Sequence, residues 1–265
     1  MDTIPNLKIA LIQTDLYWQD KTANYGMLEE KIWEIGEEVD LIVLPEMFNT
    51  GFTMEVKSMS EPMNFNACKW LKQMAAQTGA VVTGSVVIRE GDRFYNRMLW
   101  ASPDGEIAFY DKRHLFRMAN EDEHYSMGVE RKVFQIKGWK ILPQVCYDLR
   151  FPVWSRNSPV QGGMEYDVCI YIASWPKPRI KAWDILLQAR AVENLAYAIG
   201  VNRVGEDGNG VPYSGHTSAY SFKGDQLVFA EDQELTMIVE LNADELGSFR
   251  QKFPAWKDSD RFKIG

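Results

Sequence analysis

Three polar residues each stand directly after a short apolar run, and their side chains differ in a useful way. Glu46 follows Leu41–Pro45, Lys112 follows the run from Ile107 to Asp111, and Cys146 follows the run from Ile141 to Val145. A thiol, a carboxylate and an ammonium make a complete set for covalent attack on a carbonyl carbon. The thiol attacks, the carboxylate takes its proton, and the ammonium meets the oxyanion that develops. Such a thiol needs an adjacent base or cation, because a free one titrates near about 8.5. If the apolar runs are strands of an α/β sheet, their carboxyl ends are where ligands bind, and the three side chains would share one mouth. Each residue also has an ordinary reading. Buried cysteines pack as small hydrophobes, and a Glu or Lys at a strand end is usually solvated. Spacing alone does not choose between the two.

The surrounding pattern supplies elements that would hold such residues. Leu7–Gln13 reads as a buried strand, followed by a helix carrying Tyr25, Leu28, Ile32, Ile35 and Val39 at steps of three and four. A strand over Asp40–Leu44, a helix over Asn66–Gln77, strands at Ala80–Val87 and Phe94–Ala101, a turn at Ser102–Gly105 and a strand over Glu106–Asp111 follow. The second half repeats the theme. Strands are expected at Trp139–Val145, Tyr166–Ala173, Tyr197–Asn202, Thr217–Ser221, Gln226–Ala230 and Leu235–Leu241. A helix over Ile180–Leu195 would turn Ala182, Ile185, Leu186, Ala189 and Val192 inward, and a last short helix starts at Ala243. No Pro/Gly/Ser linker divides the chain, so residues 1–265 are expected to form one domain of α/β class.

Composition narrows the function. A net charge of −8 argues against nucleic acid, whose phosphates call for a basic face. The longest apolar runs are too short to span a bilayer. Three scattered cysteines, Cys68, Cys146 and Cys169, fit a reducing compartment. With no basic, signal-like start, a cytoplasmic location is expected.

The local words around the three reactive residues resemble those of the nitrilase-like carbon–nitrogen hydrolases. Leu44-Pro45-Glu46-Met47-Phe48 with Asn49-Thr50-Gly51-Phe52 is similar to that family's glutamate motif. Tyr110-Asp111-Lys112-Arg113-His114-Leu115-Phe116 is similar to its lysine motif, and Val145-Cys146-Tyr147-Asp148-Leu149-Arg150-Phe151-Pro152 to its cysteine motif. The three occur in the family's order, and the resemblance runs from Leu7 to about Leu241. Within the family the likeness is to the bacterial Nit2-like ω-amidases, supported by Trp175-Pro176-Lys177-Pro178-Arg179 and Lys252-Phe253-Pro254-Ala255-Trp256.

The resemblance implies a four-layer α-β-β-α sandwich of two mixed sheets with helices on the outer faces. It also implies Cys146 as nucleophile, Glu46 as general base and Lys112 as oxyanion stabiliser, with the Tyr147 N–H as a second donor. A further glutamate orienting the lysine is expected at Glu121, with Glu123 as the fallback. The implied substrate is a short carboxylate-bearing amide, 2-oxoglutaramate or 2-oxosuccinamate; a nitrile or N-carbamoyl substrate, or a non-catalytic scaffold, are the alternatives. Phe48, Phe52, Tyr147 and Trp175 are candidate walls, and Lys177 or Arg179 a candidate holder of the carboxylate. Arg150 is expected to be a buried structural cation paired with a carboxylate, and Asp148 local scaffolding. Val153-Trp154 stand where many relatives carry an acidic residue, which bears on subfamily. No cofactor is implied, and a homodimer is.

Other chemistries fit less well. A papain-like Cys–His pair has only His114, His124 and His216 to draw on, and no cysteine lies in the matching word. No pair of histidines has metal-ligand spacing, and Asp207–Gly210 is a turn without the remaining ligands of a calcium loop. Cys68 reads as a packing residue of a helix and Cys169 as a buried strand residue.

Overall fold

The computed structural model describes residues 4–161, 163–260 and 263. Two six-stranded sheets carry the same pattern of pairing. The first runs Leu235–Leu241, Leu7–Gln13, Leu41–Val43, Val81–Glu90, Arg93–Ala101, Ile107–Asp111, with the three strands from Leu7–Gln13 to Val81–Glu90 parallel and the rest antiparallel. The second runs Phe134–Ile136, Trp139–Val145, Val168–Ala173, Tyr197–Asn202, Ser218–Tyr220, Gln226–Phe229, again with a parallel trio flanked by antiparallel neighbours. Strands buried on both faces read as continuous apolar runs, which is why these trios are so rich in Val, Ile and Leu.

The two sheets stack face to face. Ile9, Leu11 and Val43 of the first sheet share a core with Ile141, Val145 and Ile170 of the second. Helices Lys21–Trp33 and Asn66–Thr78 cover the first sheet's outer face through Leu28, Ile32, Leu71 and Met74. Helix Ile180–Asn194 covers the second, with Trp183 and Leu187 packed so closely on Gly200 that a Cβ there would lie 2.6 and 2.4 Å from them. The architecture is the α-β-β-α sandwich.

Two local expectations differ from the structure. The first helix ends at Trp33, and Val39 belongs to the segment entering the next strand. Helix Ile180–Asn194 is rotated from its expected phase: it buries Trp183, Leu187, Arg190, Ala191 and Asn194, and leaves Ile185 and Val192 exposed at 55% and 47%. The reason is polar. Arg190 Nη2 donates to the Leu149 carbonyl at 2.6 Å, and Asn194 Oδ1 accepts the Asn157 N–H at 2.9 Å. Buried hydrogen bonds to the segment after Cys146 fix the phase, and apolar counting does not see them.

Candidate active site

The strand Leu41–Val43 continues through Leu44 and Pro45 and delivers Glu46 into the interior. Met47 adopts φ +47° directly after it, and the turn is held by the Met47 N–H donating to Ser85 Oγ at 2.9 Å. Glu46 is fully buried, so its carboxylate must be satisfied by protein. Its Oε1 accepts from Lys112 Nζ at 2.9 Å and from Asn96 Nδ2 at 2.7 Å, and its Oε2 accepts the Ser174 N–H at 2.8 Å.

Lys112 ends the strand Ile107–Asp111 and is 1% exposed. Besides Glu46 it reaches both oxygens of Glu121, each at 2.9 Å. Glu121 opens the short helix Glu121–His124 and is itself fully buried, whereas Glu123 is exposed. Of the two candidate acids, only Glu121 touches the lysine. Burial lowers the pKa of the Lys112 ammonium, but the carboxylates of Glu121 and Glu46 outweigh it and hold the value well above ordinary. Burial raises the pKa of Glu121, helped by the charge of Glu46 and opposed by Lys112.

Cys146 follows the strand Trp139–Val145 and sits at φ +46°, a left-handed conformation uncommon outside glycine. Asp148 pins this turn from beneath: its Oδ2 accepts the Val145 N–H and the Tyr110 hydroxyl, and its Oδ1 accepts from the His114 backbone. His114 stacks on Phe151 with its Nδ1 toward Asp148, placing it among the supports of the turn. Burial and then the Glu46 charge push the pKa of the Cys146 thiol well above the usual thiol range, and Lys112 opposes them. Burial and the Glu46 charge therefore favour the neutral form of the resting thiol.

Cys146 and Lys112 open on a cavity of about 670 Å³. Phe52, Tyr147 and Trp175 line it, with Phe52 under the lysine at 5.2 Å; Phe48 does not, being fully buried against Trp70 and Tyr25. Arg179 lines it too, held over the Phe116 ring at 5.2 Å, while Lys177 is exposed and outside it. Arg150 departs from expectation. It is half-buried, faces the cavity over the Trp175 ring at 5.0 Å, and has no ion-pair partner among the described residues. A structural pairing would have required a carboxylate within reach, and Asp148, two residues earlier in the chain, is committed to the turn instead.

Ser174, Asn96 and Asn202 were not singled out from the sequence. Ser174 and Asn202 stand at the ends of the strands Val168–Ala173 and Tyr197–Asn202, the same placement that marks the three reactive residues, so the signal was present. Asn202 Oδ1 accepts the Trp175 N–H at 2.7 Å and its Nδ2 donates to the Trp175 carbonyl at 3.0 Å, fixing that wall. Among the described residues no group of His, Cys, Asp and Glu is arranged to hold a metal ion, and no helix is long and apolar enough to cross a membrane.

The carbon–nitrogen hydrolase model matches residues 8–251 of the chain. The chain belongs to the carbon–nitrogen hydrolase family. Among its relatives, the ω-amidase YafV of Escherichia coli K12 is 44% identical over 98% of this chain and 100% of its own. The 2-oxoglutaramate amidase of Bacillus subtilis is 30% identical over 94% and 96%. A crystal structure of a superfamily member from Xanthomonas campestris, with an arsenic adduct in its active site, superposes with a TM-score of 0.96 at 41% identity, covering 98% of this chain and 100% of that one. Like the E. coli and B. subtilis relatives, this carbon–nitrogen hydrolase is an amidase-type enzyme.

Proposed function

We propose that this enzyme is an ω-amidase that hydrolyses 2-oxoglutaramate or 2-oxosuccinamate to the dicarboxylate and ammonia. One observation carries the reading: Cys146 and Lys112, the latter paired with the Glu46 carboxylate, share a cavity with two arginines, Arg150 and Arg179, that no carboxylate of the described residues neutralises. The names of the E. coli and B. subtilis relatives support it.

Cys146 Sγ attacks the amide carbon as its proton passes to Glu46. The carbonyl oxygen, now an anion, is met by Lys112 Nζ, which turns to it one of the two N–H groups that hold Glu121, and by the Tyr147 N–H. Glu46 returns the proton to the nitrogen, the C–N bond breaks, and ammonia leaves a thioester. Water deprotonated by Glu46 then releases the acid and restores the thiol. Glu121 keeps Lys112 charged and aimed throughout. At the far end the guanidinium groups hold the carboxylate, in the fork geometry suited to it.

The single domain, cytoplasmic location and homodimer belong to the same proposal. Three free cysteines support a reducing compartment, and the exposed Ile185 and Val192, seven residues apart on one face of a helix, support self-association. Ammonia release from a panel of short amides, run beside Cys146→Ala, tests the function. Release from the two 2-oxo amides that is lost in the variant is expected. Cleavage of nitriles or N-carbamoyl compounds with none of these amides would overturn the substrate.

A further inference from the structure

Asn96 has no part in the scheme above, yet it touches the base. It lies in the strand Arg93–Ala101, is 1% exposed, and places Nδ2 at 2.7 Å from Glu46 Oε1 and 3.4 Å from Glu121 Oε1. The amide orientation follows from these neighbours, since the flipped side chain would set its oxygen against two carboxylate oxygens. Its own Oδ1 is buried with no partner among the described residues. A buried amide that leaves its acceptor empty is costly, and is expected where the donor is what matters. The Asn96 carbonyl also accepts the Lys112 N–H at 3.0 Å, so one residue registers both the base and the ammonium.

A carboxylate oxygen offers two acceptor sites. Those of Glu46 Oε1 are filled by Lys112 and Asn96; Oε2 accepts the Ser174 N–H and has one site left. We propose that Asn96 is a positioning residue that, with Lys112, closes Oε1 to protons and makes Oε2 the single oxygen that takes the proton from Cys146. The S–H bond breaks toward Oε2 as the S–C bond forms and the carbonyl pair moves to oxygen; Oε2 then returns that proton to the departing nitrogen. This rests on the reading of Glu46 as general base.

The groups facing Glu46 that titrate or carry charge are Lys112, Glu121 and Cys146, with Tyr125 and Tyr213 further off. Removing a hydrogen bond to a charged carboxylate makes it easier to protonate, so the acid limb of activity should climb. The test is the pH profile of ammonia release for wild type, Asn96→Ala, the isosteric Asn96→Asp, and Glu46→Gln, with thermal unfolding alongside. Asn96→Ala should lower kcat roughly 10- to 100-fold, leave KM within about twofold, and move the acid limb up by about one pH unit. Asn96→Asp, which keeps the shape and adds a negative charge, should move it further, and serves alone if the alanine variant does not fold. A loss of kcat with an unmoved limb in both, while Glu46→Gln is inactive, would overturn the role of Asn96 and leave Glu46 as base. An active Glu46→Gln would overturn both.

Discussion

Glu121 Oε2 accepts the Phe116 backbone N–H at 2.6 Å while the same carboxylate holds Lys112 through both oxygens. One buried acid thus joins the Lys112 ammonium to the cavity rim, where Phe116 packs edge-on to Tyr147 and under Arg179. Glu121→Gln should keep the rim and lower kcat by on the order of 10² with little change in KM, because Lys112 loses the charge that fixes it. Glu121→Ala should raise KM as well. Steady-state kinetics of ammonia release separate the two.

Lys112→Met leaves Glu46 and Glu121 buried together without a cation. The expected loss is about 3–5 kcal/mol of stability. Two uncompensated carboxylates have folded pKa values above their unfolded ones, so their contribution is favourable at low pH and is lost as pH rises through the elevated folded values. Thermal unfolding of the variant should therefore recover toward wild type on acidification. A deficit that does not vary with pH would contradict the charge account.

The raised pKa of the Cys146 thiol owes part of its height to the Glu46 charge. Glu46→Gln should consequently shift the pH midpoint of iodoacetamide labelling at Cys146 downward, even as turnover falls by about 10² or more. In the wild type Cys146, which opens on the cavity, should label ahead of Cys68 and Cys169, which are fully buried and line no part of it. Intact-mass analysis across pH reads both; equal, slow labelling of all three would count against an active thiol.

Arg150→Met and Arg179→Met should each raise KM for carboxylate-bearing amides roughly 10- to 100-fold, the range expected for a lost hydrogen bond to a charged group. Neutral amides of similar size should be unaffected, and Lys177→Met should change nothing. Equal effects on charged and neutral amides would assign the arginines to the walls of the cavity instead.

Gly128 donates its N–H to the Lys112 carbonyl at 2.8 Å, and a Cβ on it would lie 2.1 Å from the Asp111 carbonyl oxygen. Because the obstacle is backbone, Gly128→Ala should destabilise by about 1–3 kcal/mol and displace the lysine. Lower Tm together with lower kcat is the expected result.

The sequence by itself determined the strands and most of the site. Short apolar runs ended by Glu46, Lys112 and Cys146 already encode both the sheets and the placement of the reactive groups, because strand hydrophobicity and strand ends are local properties. The words around those residues carried the family. What lay beyond local reading was partnership. Glu121 rather than Glu123, the cavity-facing Arg150, the donor Asn96 and the inward Arg190 are decided by what stands opposite them once strands, loops and helices from separate stretches have packed together. Hydrogen-bond geometry acts over about 3 Å, and which groups come that near is set by the packing of residues 9 to 128 positions apart. Only the tertiary structure holds that information.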